Sequence, residues 1–104
     1  MSYNMKMLKE LLSIYGPSGN ERQVSEFIIS EIEDYVDEIS VNKLGSIIAR
    51  KKGNGPKVMI AGHMDQIGLM VTDIDDKGFV RVTNIGGINP YVTVGERFEF
   101  ENGR

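Results

Sequence analysis

The chain has 104 residues, no cysteine, and a formal net charge of −3 from 12 basic and 15 acidic side chains. That length limits it to one ordinary domain or a piece of a larger one, and the missing thiols exclude a disulfide framework, a zinc knuckle and a cysteine nucleophile. No basic cluster suited to a phosphate backbone is present, nor any run approaching the ~18 apolar residues of a membrane span, so neither nucleic acid nor membrane is expected as a partner. The opening MSYNMKMLKE lacks the apolar region of a signal peptide, and the cysteine-free composition suits a reducing compartment; the expectation is a cytoplasmic protein.

Met5, Leu8, Leu11, Leu12 and Tyr15 recur at spacings of three and four, the stripe of an amphipathic helix. Gly16-Pro17-Ser18-Gly19 ends it, because proline cannot continue the hydrogen-bond ladder and glycine relaxes the exit. Ser18 with Glu21 has capping-box spacing and Asn20 is a competing N-cap. A second helix follows, with Val24, Phe27, Ile28, Ile32, Tyr35 and Val36 as its apolar side.

After Val36 the period changes to two. Ile39 and Val41 predict a strand, Asn42-Lys43-Leu44-Gly45 a turn, and Ser46 to Arg50 the return strand of a hairpin. Arg50-Lys51-Lys52 reads as a solvated strand end. Beyond the break at Gly53-Asn54-Gly55-Pro56, Val58 to Ala61 is short and continuously apolar, which predicts a strand buried on both faces. The pattern to this point is α/β.

The character shifts near Gly68. Leu69 to Ile74 and Phe79 to Thr83 predict a hairpin about the turn Asp75-Asp76-Lys77-Gly78. Ile85-Gly86-Gly87 is a loop, Asn89-Pro90 a break, and Val92-Thr93-Val94 and Arg97 to Phe100 further strands, with no helix expected after Tyr35. Residues 69–104 therefore read as the opening of an all-β domain of short strands, and residues 1–68 as part of an α/β domain. Glu101-Asn102-Gly103-Arg104 is a hairpin turn whose return strand is missing, so the chain reads as cut. Met59, Met64 and Met70 are expected as gap-filling apolar residues.

Chemistry concentrates in AGHMDQIGLM, residues 61–70. His63 is the single imidazole in the chain, placed at the exit of the apolar run, and Asp65 lies two residues on, the same side of an extended backbone. A metal-bound imidazole needs an acceptor on its second nitrogen, and a nearby carboxylate serves. Asp65 is placed to orient His63 or to bind an ion itself. The plainer alternative is a histidine hydrogen-bonded at a polar strand exit, with Asp65 capping the next turn.

The run PKVMIAGHMDQIGLMVTDIDDKGFVRVTNIGG (56–87), with YGPSGNE (15–21) and VDEISVNKLGSIIARKKG (36–53) upstream, resembles the deblocking and glutamyl aminopeptidases. These are dinuclear metallopeptidases whose members often form tetrahedral dodecamers. The resemblance extends over essentially the whole chain. It implies an α/β peptidase domain, covering residues 1–68 here, interrupted by an inserted β-barrel used in subunit pairing, begun by residues 69–104. It implies that His63 ligates one of two divalent metal ions, zinc or cobalt first among them. It also places Asp65 in the catalytic machinery as the carboxylate supporting that histidine, with a peptide as substrate and a homo-oligomer, dimer to dodecamer, as the assembly.

Two departures stand out. Gln66 occupies a position where many relatives carry glutamate, and the remaining ligands and general base of the family lie downstream of the barrel, outside this sequence. The expectation is an amino-terminal portion of an aminopeptidase, inactive alone. The alternatives are a non-catalytic oligomerising or binding module from a truncated gene and, since some relatives are labelled glucanases, a glycoside hydrolase. The last would need paired carboxylates that the sequence does not identify.

Overall fold

The computed structural model describes residues 2–104, with side chains from Met5 onward. Helix α1 (Ser2–Ser13) and helix α2 (Arg22–Ile32) open the fold, and a single 3-10 turn at Glu33–Tyr35 ends the helical part. The corner between them needs glycine at Gly19, where φ is 92°, a value that a Cβ disfavours. Gly16 and Pro17 are buried in this corner. Val24, 1% exposed, packs so closely over Gly16 that any Cβ there would overlap its Cγ2.

The expected capping box does not form. Glu21 takes the N-cap position of α2 without a side-chain capping bond; its carbonyl accepts from the Ser25 amide at 2.8 Å and its carboxylate from the Gly19 amide at 2.8 Å. The Ser18 hydroxyl turns away and donates to Asp65 instead, at 2.6 Å. An ionised carboxylate is the stronger acceptor, which is why the local capping pattern loses to a distant partner.

Strands β1 (Glu38–Val41) and β2 (Ile47–Arg50) pair antiparallel as expected, with Glu38 opposite Arg50 and Val41 opposite Ile47. The Asn42 side chain closes their turn by accepting from the Leu44 and Ser46 amides, both at 2.9 Å, the Asx geometry that suits asparagine here. Arg50-Lys51-Lys52 does more than face solvent. Arg50 and Lys52 both reach Glu38, at 3.6 and 2.8 Å, and Lys51 donates to the Tyr35 carbonyl at 3.1 Å. The run ties the hairpin to the end of the helical part, although exposed ion pairs contribute only about 0–1 kcal/mol each.

Strands β3 (Gly68–Ile74) and β4 (Val80–Ile85) form the second hairpin, with a register shift between Val71 and Asp73. Asp75 closes its turn as Asn42 does the first, accepting from Lys77 and Phe79 at 2.9 Å. Gly78, at φ 85°, supplies the left-handed position.

Three expected strands are absent. Val58 to Ala61 takes no regular structure, and Val58, Met59 and Ile60 are 83, 88 and 95% exposed. A buried strand needs neighbours to satisfy its backbone on both sides, and among the described residues none pairs with it. Val92-Thr93-Val94 is preempted by helix α3 (Pro90–Thr93), because the Asn89 carboxamide accepts from the Tyr91 amide at 3.0 Å and Pro90 fills the first turn. That cap and proline outweigh the β-branched composition. Arg97 to Phe100 is irregular; the turn after it does close, with the Phe100 amide donating to the Arg104 carbonyl at 2.8 Å.

One backbone contact joins the helical corner to the middle of the chain, an isolated parallel bridge between Pro17 and Gln66. Gln66 donates its amide to the Gly16 carbonyl at 2.9 Å, and its own carbonyl accepts from the Ser18 amide at 3.1 Å. Pro17 also sits against the start of β3, where a Cβ on Gly68 would come within 3.1 Å of the proline ring. The radius of gyration is 17.7 Å, against about 13 Å for a compact domain of this length. The fold is elongated and shares no single interior.

Gly16→Ala is expected to cost about 1–3 kcal/mol by overpacking Val24. Gly53→Ala, where an added Cβ meets open space, should stay within about 0.5 kcal/mol. Urea midpoints of the two variants check this; equal midpoints would remove Gly16 from any packing role.

Candidate functional site

His63 lies in a segment without regular structure and its side chain is 86% exposed, while that of Asp65 is 40% exposed. The two meet regardless of the missing strand. His63 Nδ1 is 2.9 Å from Asp65 Oδ1 and 3.1 Å from the Asp65 carbonyl oxygen. A carbonyl oxygen only accepts, and so does an ionised carboxylate. Nδ1 therefore carries the proton, and the lone pair of a neutral ring is on Nε2, which has no hydrogen-bond partner among the described residues.

Asp65 is held from its other side. Its Oδ2 accepts the Ser18 hydroxyl at 2.6 Å. The carboxyl is drawn below the usual aspartate range, first by the hydrogen bond from Ser18 and then by that from His63. The position of Ser18 follows from the Pro17–Gln66 bridge, which sets its backbone beside the residue following Asp65.

His63, Met64 and Asp65 line one end of a cavity of about 620 Å³, whose apolar wall comes from Ile28 and Ile32 of α2 and Ile47 of β2. The Gln66 side chain does not join them. It lines a second cavity, about 800 Å³, with Leu69, Val82 and Phe98. What Gln66 gives the site is its backbone, through the bridge.

Ser18 is the residue that sequence reasoning missed. Its partner is 47 residues away, and the only local signal, its spacing to Glu21, pointed to a helix cap. The donor set present fits one metal ligand with its supporting carboxylate: an oriented imidazole with a free Nε2. It does not amount to a complete metal site, because among the described residues no group of three or more histidine, cysteine, aspartate or glutamate side chains could hold an ion.

The profile of the M42 glutamyl aminopeptidases matches residues 45–104, more than half of the chain. The chain belongs to the M42 glutamyl aminopeptidase family. A candidate aminopeptidase of Acetivibrio thermocellus is 54% identical over 97 residues, covering 93% of this chain and 29% of that protein. Among solved structures, an aminopeptidase of the archaeon Desulfurococcus kamchatkensis superposes with a TM-score of 0.83 at 35% identity, over 86% of this chain and 26% of its own. The TET1 peptidase of Pyrococcus horikoshii, described as assembling into a tetrahedron or a large octahedral shell, superposes with a TM-score of 0.72 at 36% identity, over 82% of this chain and 26% of its own. The M42 chain described here thus spans between a quarter and three tenths of the length of these relatives. Its helices and small antiparallel sheets correspond to part of an α/β peptidase domain.

Because the folded-state pKa of Asp65 is lowered, the stability its hydrogen bonds contribute is present above the ordinary aspartate value of ~3.9. It is lost as the pH falls through the lowered midpoint. Carbon-detected titration of the Asp65 carboxyl should give a midpoint below that ordinary value; one at or above it would mean that the Ser18 and His63 contacts do not form in solution.

Proposed function

We propose that this chain is the amino-terminal portion of a metal-dependent aminopeptidase that releases amino-terminal residues from peptides. In that reading, His63 is one ligand to a pair of divalent ions, zinc or cobalt, through Nε2. Residues 1–68 belong to the catalytic domain, and residues 69–104 begin an inserted β domain that pairs subunits of a cytoplasmic homo-oligomer. The observation that carries the reading is the contact of His63 Nδ1 with two acceptors of Asp65, at 2.9 and 3.1 Å. In an M42 chain, it leaves the other ring nitrogen as a pre-oriented donor on the wall of a cavity.

When bound, such ions supply Lewis-acid polarisation of a scissile carbonyl and activation of water. The chain's own contribution is positional. Asp65 holds the Nδ1 proton and keeps the ring in one tautomer, and its negative charge raises the basicity of Nε2. Ile28, Ile32 and Ile47 supply apolar lining to the cavity that His63 also lines. The oligomer reading draws support from the assembly described for the P. horikoshii peptidase and from the exposed apolar residues of the second hairpin, Met70, Ile74 and Val82.

The test begins with the intact mass of the protein and the length of its reading frame, followed by hydrolysis of aminoacyl p-nitroanilides by the full-length product. Asp65→Asn should lower activity by about 10–100-fold, and His63→Ala by more. The 104-residue chain alone should show none. Peptidase activity of the mass-verified 104-residue chain, unchanged by His63→Ala, would sink the proposal.

A further inference from the structure

We infer that Ser18 is a positioning residue for His63, acting through Asp65, so that the corner between α1 and α2 sets the orientation of the proposed metal ligand. The inference rests on the function proposed above for His63, and it assigns the ligand's alignment to a residue 47 positions before the carboxylate it holds.

Little in the surrounding structure holds the imidazole. His63 is 86% exposed and Asp65 40% exposed, so packing does not hold either ring or carboxylate. Residues 51–65 contain no regular element, so the backbone gives no ladder to fix them. A carboxylate rotates about its last torsion in a broad, twofold well. The Asp65 carbonyl also accepts from Nδ1, at 3.1 Å, but the one hydrogen bond that Oδ1 makes leaves the plane of the carboxylate undetermined. The Ser18 hydroxyl, at 2.6 Å from Oδ2, occupies the second oxygen and stops that rotation, which leaves Oδ1 aimed at Nδ1.

Ser18 can do this because it is itself held. Its amide donates to the Gln66 carbonyl, and Gln66 donates to the Gly16 carbonyl. Gly16 is buried under Val24 of α2, and Pro17 is buried against the start of β3. The hydroxyl thus hangs from a corner fixed on two sides, and reaches a carboxylate on an irregular segment that is tied down only at the following residue, Gln66.

The test reads the ring nitrogens of His63, the single histidine of the 104-residue chain, in long-range proton–nitrogen spectra of the metal-free protein. The pH is set to ~8.5, well above the ordinary histidine range. Ser18→Ala and Ser18→Val remove the hydroxyl, the second keeping the shape of Ser18→Thr, which retains it. The backbone amides of Ser18 and Gln66 report whether the bridge survives.

The wild type and Ser18→Thr should show a protonated Nδ1 and an unprotonated Nε2. In Ser18→Ala and Ser18→Val the two nitrogen shifts should move toward each other, and zinc added to the full-length protein carrying these substitutions should bind at least about tenfold more weakly. A serine that only stapled the fold would lower stability and leave the ring shifts in place. Unmoved shifts in both hydroxyl-free variants, with the wild type protonated on Nδ1, overturn the role of Ser18. Ring shifts that move as expected, with a full-length protein that binds no zinc through His63, leave Ser18 as the residue that orients the ring and overturn the metal reading instead.

Discussion

The bridge between Pro17 and Gln66 is the constraint on which the rest depends. It is one parallel contact, two backbone hydrogen bonds at 2.9 and 3.1 Å, yet it brings the helical corner against the loop that carries the histidine. Everything needed at the site follows from that contact: Ser18 within reach of Asp65, Asp65 within reach of His63, and β3 starting at Gly68 against the proline ring. Gly16 makes the contact possible, since a larger residue could not lie under Val24. The site is therefore a product of close backbone approach more than of burial.

A chain with so little interior still has local order, for a reason separate from the bridge. Each hairpin closes on its own side-chain clasp, Asn42 in the first and Asp75 in the second, and needs no covering layer to set its register. Both hairpins leave apolar residues exposed, and Val58, Met59 and Ile60 between them are exposed as well. The chain superposes on about a quarter of the length of the solved relatives.

The sequence reported local structure well and long-range structure poorly. Helices α1 and α2, both hairpins and their turns were legible because period and turn residues are written within a few positions of each other. The meeting of His63 with Asp65 was legible from their spacing, although the strand invoked to justify it does not form. Val58 to Ala61 failed as a strand because apolar composition indicates what a segment prefers to touch, not whether a partner is there. Val92 to Val94 failed because β-branched side chains lost to the cap at Asn89. Ser18 was misread for a related reason: its capping pattern is local, and the carboxylate that claimed it lies far along the chain.

That separation also bears on the order in which the molecule assembles. Closing a loop of 47 residues costs about 3 kcal/mol of chain entropy beyond the constant term. The helices and the two hairpins close over a few residues each, and local contacts of that kind form fast. The imidazole is thus aligned only after the pieces around it exist, and anything that holds the helical corner apart from residue 66 leaves a folded periphery around an unaligned ring.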